Sequence, residues 1–226
     1  MTGEQSRTSL SRRQRMRASL SGVRNSYRQT RAGMHPRAAW LIELLVIVVV
    51  ALGVAEGVQA EVVKPFKIPS GSMEPTLTVG QRVLVNRLAF DFHAPQRGEV
   101  VVFHPPSSLS CAVSINPGEP CPRGNEHPSG TYFVKRVIGL PGDRLSIRDG
   151  YPVINGRELT DEPYTTPCGG AAECNMPQTI TIPPGRYFMM GDNRGDSDDS
   201  RFWGPIPERW MVGEVFFTYW PPDRIG

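Results

Sequence analysis

The 226-residue chain changes its hydrophobic–polar pattern twice. Residues 1–37 are rich in Arg, Ser and Gln, with few large apolar side chains. Such a segment cannot bury enough surface to fold alone, which predicts a solvated tail. Ala38 to Ala55, AAWLIELLVIVVVALGVA, follows with one charge, Glu43. At about 1.5 Å per residue a helix over this run covers roughly 27 Å, close to a bilayer core. The β-branched run Val46–Val50 suits lipid, and Trp40 sits where an interfacial aromatic is expected. Glu43 lies near the end of the run, within reach of the interface.

From residue 61 the pattern becomes short β-rich runs between Gly and Pro. The expected strands are Arg82–Val85, Val100–His104, Tyr132–Ile138, Leu145–Arg148, Tyr151–Ile154, Thr179–Ile182, Tyr187–Met190 and Val212–Tyr219. This region holds 21 Pro and 18 Gly, too many for long helices. Asp149-Gly150 and Asn155-Gly156 are hairpin signals. The chain therefore divides into a tail (1–37), an anchor (38–60) and one mainly β domain (61–226), a barrel or sandwich. Pro105–Pro128 reads as a long surface loop. A smaller inserted β subdomain is expected over about 145–182, with Thr160–Pro177 carrying its own cysteine pair. There is no internal repeat.

Charge sharpens the division. The net +3 is a sum of +8 in the tail, −2 in the span and −3 beyond it. A basic nucleic-acid-binding domain is thereby excluded, because the basic charge sits in the tail. Arginines ahead of the span predict a cytoplasmic N-terminus and a domain outside the cell membrane, crossed once. Val58-Gln59-Ala60 would also suit a signal-peptide cleavage site, possible self-cleavage included. The apolar run, however, exceeds the usual h-region of about 7–15 residues, which favours a retained anchor. All four cysteines follow the span, and no C-x-x-C spacing suggests zinc. Short local loops favour Cys111–Cys121 and Cys168–Cys174 as disulfides in an oxidising compartment.

Familiar chemistry is missing. There is no phosphate loop, no H-E-x-x-H and no G-x-S-x-G, and His35, His93, His104 and His127 are scattered. The acidic run from Asp192 fails the EF-hand pattern, because Trp203 stands where a bidentate Glu is needed. Arg194 and Arg201 within it point to ion pairs rather than a metal cage.

Three segments stand out. Ile68-Pro69-Ser70-Gly71-Ser72-Met73-Glu74-Pro75-Thr76-Leu77 sets two serines about a glycine on stiffened backbone, though alone it reads equally well as an ordinary loop. Tyr132 to Asp143 places Lys135 in an apolar strand, where burial would lower its pKa toward that of a general base. Alternation puts Phe133, Lys135 and Val137 on one face and Val134, Arg136 and Ile138 on the other. The two cations should therefore have different tasks, although alone the strand reads equally as carrying two half-exposed charges, the commoner case for a lone lysine. Gly191 to Gly204 is a polar loop that reads either as a solvated turn or, with its many donors and acceptors, as support for a site.

Together P-S-G-S-M-x-P-T-L, K-R-V-I-G-L-P-G-D and G-D-N-R-x-x-S-x-D-S-R resemble the bacterial type I signal peptidases, membrane-anchored Ser/Lys proteases. Arg97-Gly98-Glu99-Val100-Val101-Val102-Phe103 also looks like a strand of that family. The resemblance implies that Ser72 is the nucleophile and Lys135 the general base. Ser70, with the Ser72 amide, would form the oxyanion hole, and Ser197 would orient the lysine amine. Asp199 with Arg201, and Asp192 with Arg136, would be supporting ion pairs. Ile68, Met73, Leu77, Phe133 and Val134 would line apolar substrate pockets. The resemblance implies no metal and no cofactor, and a monomer acting on secretory preproteins at the bilayer, with no nucleic-acid partner. Glu74 departs from the family's usual residue and is expected to face solvent.

Two other readings compete. Self-cleaving Ser/Lys repressors are soluble and carry a DNA-binding domain, unlike this chain. An inactive membrane-anchored binding module should lack Ser72 or Lys135, and both are present.

Overall fold

The computed structural model describes residues 36–159, 162–170 and 174–226. The arginine tail up to residue 35 lies outside them, as do the side chains of residues 36, 38, 39, 55, 56 and 58–61, so Val58-Gln59-Ala60 falls outside the described side chains. Two compact units are defined, 1–58 and 59–226.

Helix α1 (Pro36–Val62) is 27 residues long. Its described apolar side chains, from Trp40 to Val54, are largely exposed. Among the described residues no helix is long and apolar enough to cross a membrane. The side chains described without a break in α1 run only from residue 40 to residue 54.

The second unit is built on two antiparallel sheets. The larger contains β1 (Val63–Lys67), β2 (Arg82–Asn86), β3 (Val100–Phe103), β4 (Phe133–Gly139), β9 (Arg186–Met190), β10 (Ile206–Pro207) and β11 (Met211–Trp220). Their order is β1-β2-β11-β3-β4-β9-β10. The smaller sheet, inserted between β4 and β9, has the order β7-β6-β5-β8. Its strands are β5 (Arg144–Arg148), β6 (Tyr151–Ile154), β7 (Arg157–Glu158) and β8 (Met176–Thr181). Beyond α1 the α-helices among the described residues are single turns, α2 (Ala89–Phe92) and α3 (Ser200–Trp203).

Every expected strand is present, with ends shifted by up to three residues. Three strands escaped the pattern: β1, β7 and β10. All three are sheet edges. Pro65 interrupts β1 and Pro207 ends β10, and proline is tolerated at edges because it has no ladder N–H to donate. The turns Asp149-Gly150 and Asn155-Gly156 both take positive φ at each residue, as a type I′ turn requires.

Alternation along β4 sorts its side chains as expected. Val137 packs in one cluster with Val101, Phe103, Met189 and Trp203, and Phe133 lies against it. Ile138 joins the cluster between the two sheets, with Leu145, Ile147, Ile182 and Phe188. Val134 packs beside Ile68, Met73, Leu77, Val83 and Val102. Lys135 and Arg136 thus emerge between separate apolar clusters and in different directions.

The loop 105–128 is closed at its base by Ser107 N to His127 O and Ser129 N to Pro105 O, at 2.9 and 2.7 Å. Cys111–Cys121 staples it, and Cys168–Cys174 closes the second cysteine loop. Among the described residues no cysteine is free.

Candidate active site

The first wall of the site is a 3-10 turn, Gly71–Met73, which starts from extended backbone at Ser70. Met73 is buried in the Ile68 cluster and pins the turn, while Ser72 faces a cleft. Ser70 Oγ lies 3.4 Å from Ser72 Oγ. Gly71 does not need glycine's freedom here. Its φ is not positive, and an added Cβ would meet only the Glu74 carboxyl, at 3.4 Å. Glu74 itself is half-buried rather than solvent-facing, because the turn folds its side chain back toward Gly71.

The second wall is β4. Pairing with β3 sets Lys135 opposite Val101 in the interior of the sheet, and the lysine is 4% exposed. Its Nζ lies 2.5 Å from Ser72 Oγ. Among the described residues no carboxylate forms an ion pair with it. Burial pulls its pKa down from 10.5 to about 8, against the opposing pull of Asp199 and Asp198. A charged amine would donate to Ser72 Oγ; a neutral one can accept the serine proton.

Three buried ion pairs frame this amine. Arg136 grips Asp192 with two bonds, Nε to Oδ1 at 2.9 Å and Nη2 to Oδ2 at 2.6 Å. Arg201 grips Asp199 likewise, at 2.8 and 2.9 Å. Asp199 also accepts from the amides of Arg201 and Gly191. Burial alone would raise the Asp199 pKa; Arg201, Lys135 and the Gly191 amide outweigh it and hold the carboxyl below its ordinary value. The third pair fits the expectation that Arg194 is ion-paired, but its partner was not named: Arg194 Nη2 donates to Glu162 at 2.6 Å, and its other nitrogens reach Gly191 O and Gly150 O. Thr76 and Tyr164 were missed too. Thr76 Oγ1 donates to Asp192 at 2.6 Å, and the Arg136 guanidinium stacks 3.8 Å above the Tyr164 ring. Thr76 sits inside a recognised segment, so its neighbours gave a signal. Glu162 and Tyr164 lie in the irregular cysteine loop, where no periodicity marks them.

The polar loop closes the site. Gly191 is where two backbones touch: a Cβ there would lie 2.4 Å from Ser72 O and 2.3 Å from Ser197 Oγ. Asn193 N donates to Ser72 O at 3.1 Å and Asn193 Nδ2 to Gly71 O at 3.3 Å, tying loop to turn. Ser197 lines the cleft, but its buried Oγ has no partner among the described residues. The bond from Ser197 to the lysine amine is therefore not made in this structure.

The cleft has a volume of about 470 Å³. Of the residues expected to form substrate pockets, Ile68, Met73, Phe133 and Val134 line it, together with Tyr132 and Phe202. Leu77 does not. It is buried beneath the turn and faces a different cavity, because β-branched neighbours from β2 draw it into the core. The donor atoms best grouped for a metal among the described residues, on His93, Glu99 and Glu214, belong to no wall of this cleft.

A serine hydroxyl against a buried amine, open to a cleft, is the geometry that a Ser/Lys hydrolase would need. Residues 41–220 match the family described as "Signal peptidase, peptidase S26". The chain is similar to "Probable signal peptidase I-2" of Synechocystis sp., 35% identical over 84% of this chain and 78% of that protein. It is also similar to "Signal peptidase I" of Mycobacterium tuberculosis, 34% identical over 82% of this chain and 74% of that protein. Among solved structures, a signal peptidase I from Enterococcus faecalis aligns at 28% identity over 55% of this chain and 98% of its own. The TM-score is 0.34. The chain belongs to the signal peptidase family, peptidase S26, and is a serine endopeptidase that removes signal peptides from preproteins.

Proposed function

We propose that the chain cleaves preproteins after A-x-A, on the outer face of the cytoplasmic membrane, with Ser72 as nucleophile and Lys135 as general base. The observation that carries this reading is the 2.5 Å approach of a buried, unpaired amine to a serine hydroxyl on an open cleft. Neutral Lys135 takes the hydroxyl proton as Ser72 Oγ attacks the carbonyl carbon of the second alanine. The proton then passes to the leaving amine, and an acyl-enzyme remains. Water, deprotonated by the same lysine, hydrolyses that ester.

The tetrahedral oxyanion needs preorganised donors. The Ser72 amide lies in the first turn of a 3-10 helix, where amides lack an intrahelical acceptor, and Ser70 Oγ lies 3.4 Å from Ser72 Oγ. We assign the oxyanion hole to these two. Ser197 is assigned to orient the amine, since its buried hydroxyl has bonding capacity to spare. Asp199 with Arg201, and Asp192 with Arg136, hold the two walls. Ile68, Met73, Phe133 and Val134 accept the small side chains of A-x-A. Leu77 supports them from below.

The domain plan is a cytoplasmic tail (1–37), a single anchor (38–60) and an extracytoplasmic catalytic domain (61–226), acting as a monomer at the bilayer. Supporting it are a 27-residue helix, long enough for about 40 Å, and outward-facing apolar side chains along it.

The test is cleavage of a preprotein by the full chain and two variants. Ser72→Ala and Lys135→Ala should each abolish cleavage without loss of fold. Activity retained in Lys135→Ala refutes the Ser/Lys mechanism. For orientation, protease added outside intact cells should digest the catalytic domain; protection would reverse the topology.

A further inference from the structure

The pattern G-D-N-R-x-x-S-x-D-S-R over Gly191–Arg201 leaves positions 195, 196 and 198 unspecified, and this chain fills two of them with carboxylates. Asp196 and Asp198 are both exposed and both line the cleft. Among the described residues neither carboxylate makes a hydrogen bond or an ion pair. The arginines on the same lining do not neutralise them. Arg194 is buried and held by Glu162, and Arg201 is buried and held by Asp199. Ser197, between the two acids, faces the cleft with a buried Oγ that has no partner. That hydroxyl has one donor and two acceptor sites, enough for an amine and a peptide together.

The lining is divided in its chemistry. Ile68, Met73, Phe133 and Val134 form the apolar side, which suits the small residues before the cleaved bond. The acidic lining comes from a different element, the Gly191–Gly204 loop, and with A-x-A assigned to the turn and β4 it is left to the residues that follow the bond. We propose that Asp196 and Asp198 are specificity-determining residues, selecting preproteins with a basic side chain just after the cleavage site and disfavouring acidic ones. This rests on the cleavage reading above. The attraction is between solvent-exposed charges, so it is modest and screened by salt. Each exposed pair is expected to change kcat/KM by about two- to fivefold.

The experiment uses the full chain and three peptides that share A-x-A and differ only after the bond, with Lys, Gln or Glu at the second position. At low salt kcat/KM should fall in the order Lys, Gln, Glu, and high salt should compress the series. In the Asp196→Asn, Asp198→Asn double variant the Lys-to-Glu ratio should approach one. The ratio between peptides cancels any effect of Asp198 on the lysine itself. Equal rates for the three peptides, or an unchanged ratio in the double variant, overturns the inference and leaves the cleavage reading standing. No cleavage of any of them overturns both.

Discussion

Strand β4 sets two buried cations side by side and treats them oppositely. Arg136 is held by a two-bond grip on Asp192, capped by Gly98 O and stacked on Tyr164. Lys135 has an equally buried position, no counter-ion in contact, and one hydroxyl. A buried charge that is paired stays a charge and becomes structure. One that is left unpaired becomes titratable near neutral pH, and that is a reagent. The alternation of a strand, which turns successive residues to opposite faces, is what lets one chain segment supply both.

The contrast can be broken most forcefully on the arginine side. Asp192→Ala strands Arg136 as an uncompensated buried charge and should cost about 3–5 kcal/mol in unfolding free energy, read by denaturant titration. A cost below about 1 kcal/mol would mean that the pair does not hold the fold.

On the lysine side the sign reverses. The Lys135 pKa is lowered from 10.5 to about 8, so the folded state bears the cost of a buried charge at every pH below about 8. Between about 8 and 10.5 the unfolded chain binds the extra proton, so stability rises with pH in that window. Lys135→Met should therefore stabilise the fold by about 3 kcal/mol at neutral pH. The gain should fade as pH approaches 10.5. A destabilised Lys135→Met protein would contradict the account of an unpaired amine. The smallest expected effect is at Thr76. Thr76→Val removes one bond to Asp192 but leaves the ion pair, and should cost about 1 kcal/mol with cleavage retained.

The same contrast governs what could be read from sequence. Lys135 was legible because a lone lysine in an apolar strand violates the burial rule locally. Ser72, Asp192, Asp199 and Arg201 were legible through their segments. The strands inside the sheets showed their period, but the edges β1, β7 and β10 did not, because edges tolerate proline and need few residues. Long-range polar partners left no trace. Glu162 meets Arg194 across 32 positions, and neither Tyr164 nor Gly98 advertises that it faces Arg136. Leu77 shows the limit of carrying a segment over whole. Its place in the core depends on packing against Val83 and Val85 of β2, a tertiary contact that no local pattern specifies.

The central claim is that Lys135 is neutral enough near physiological pH to act as a base. The chain has three lysines, Lys64, Lys67 and Lys135, so the ε-carbon signals of a lysine-labelled full chain can be resolved by NMR. The resonance lost in Lys135→Met identifies the residue. The account predicts a titration midpoint of about 8 for that signal. A midpoint at the ordinary 10.5 would contradict it.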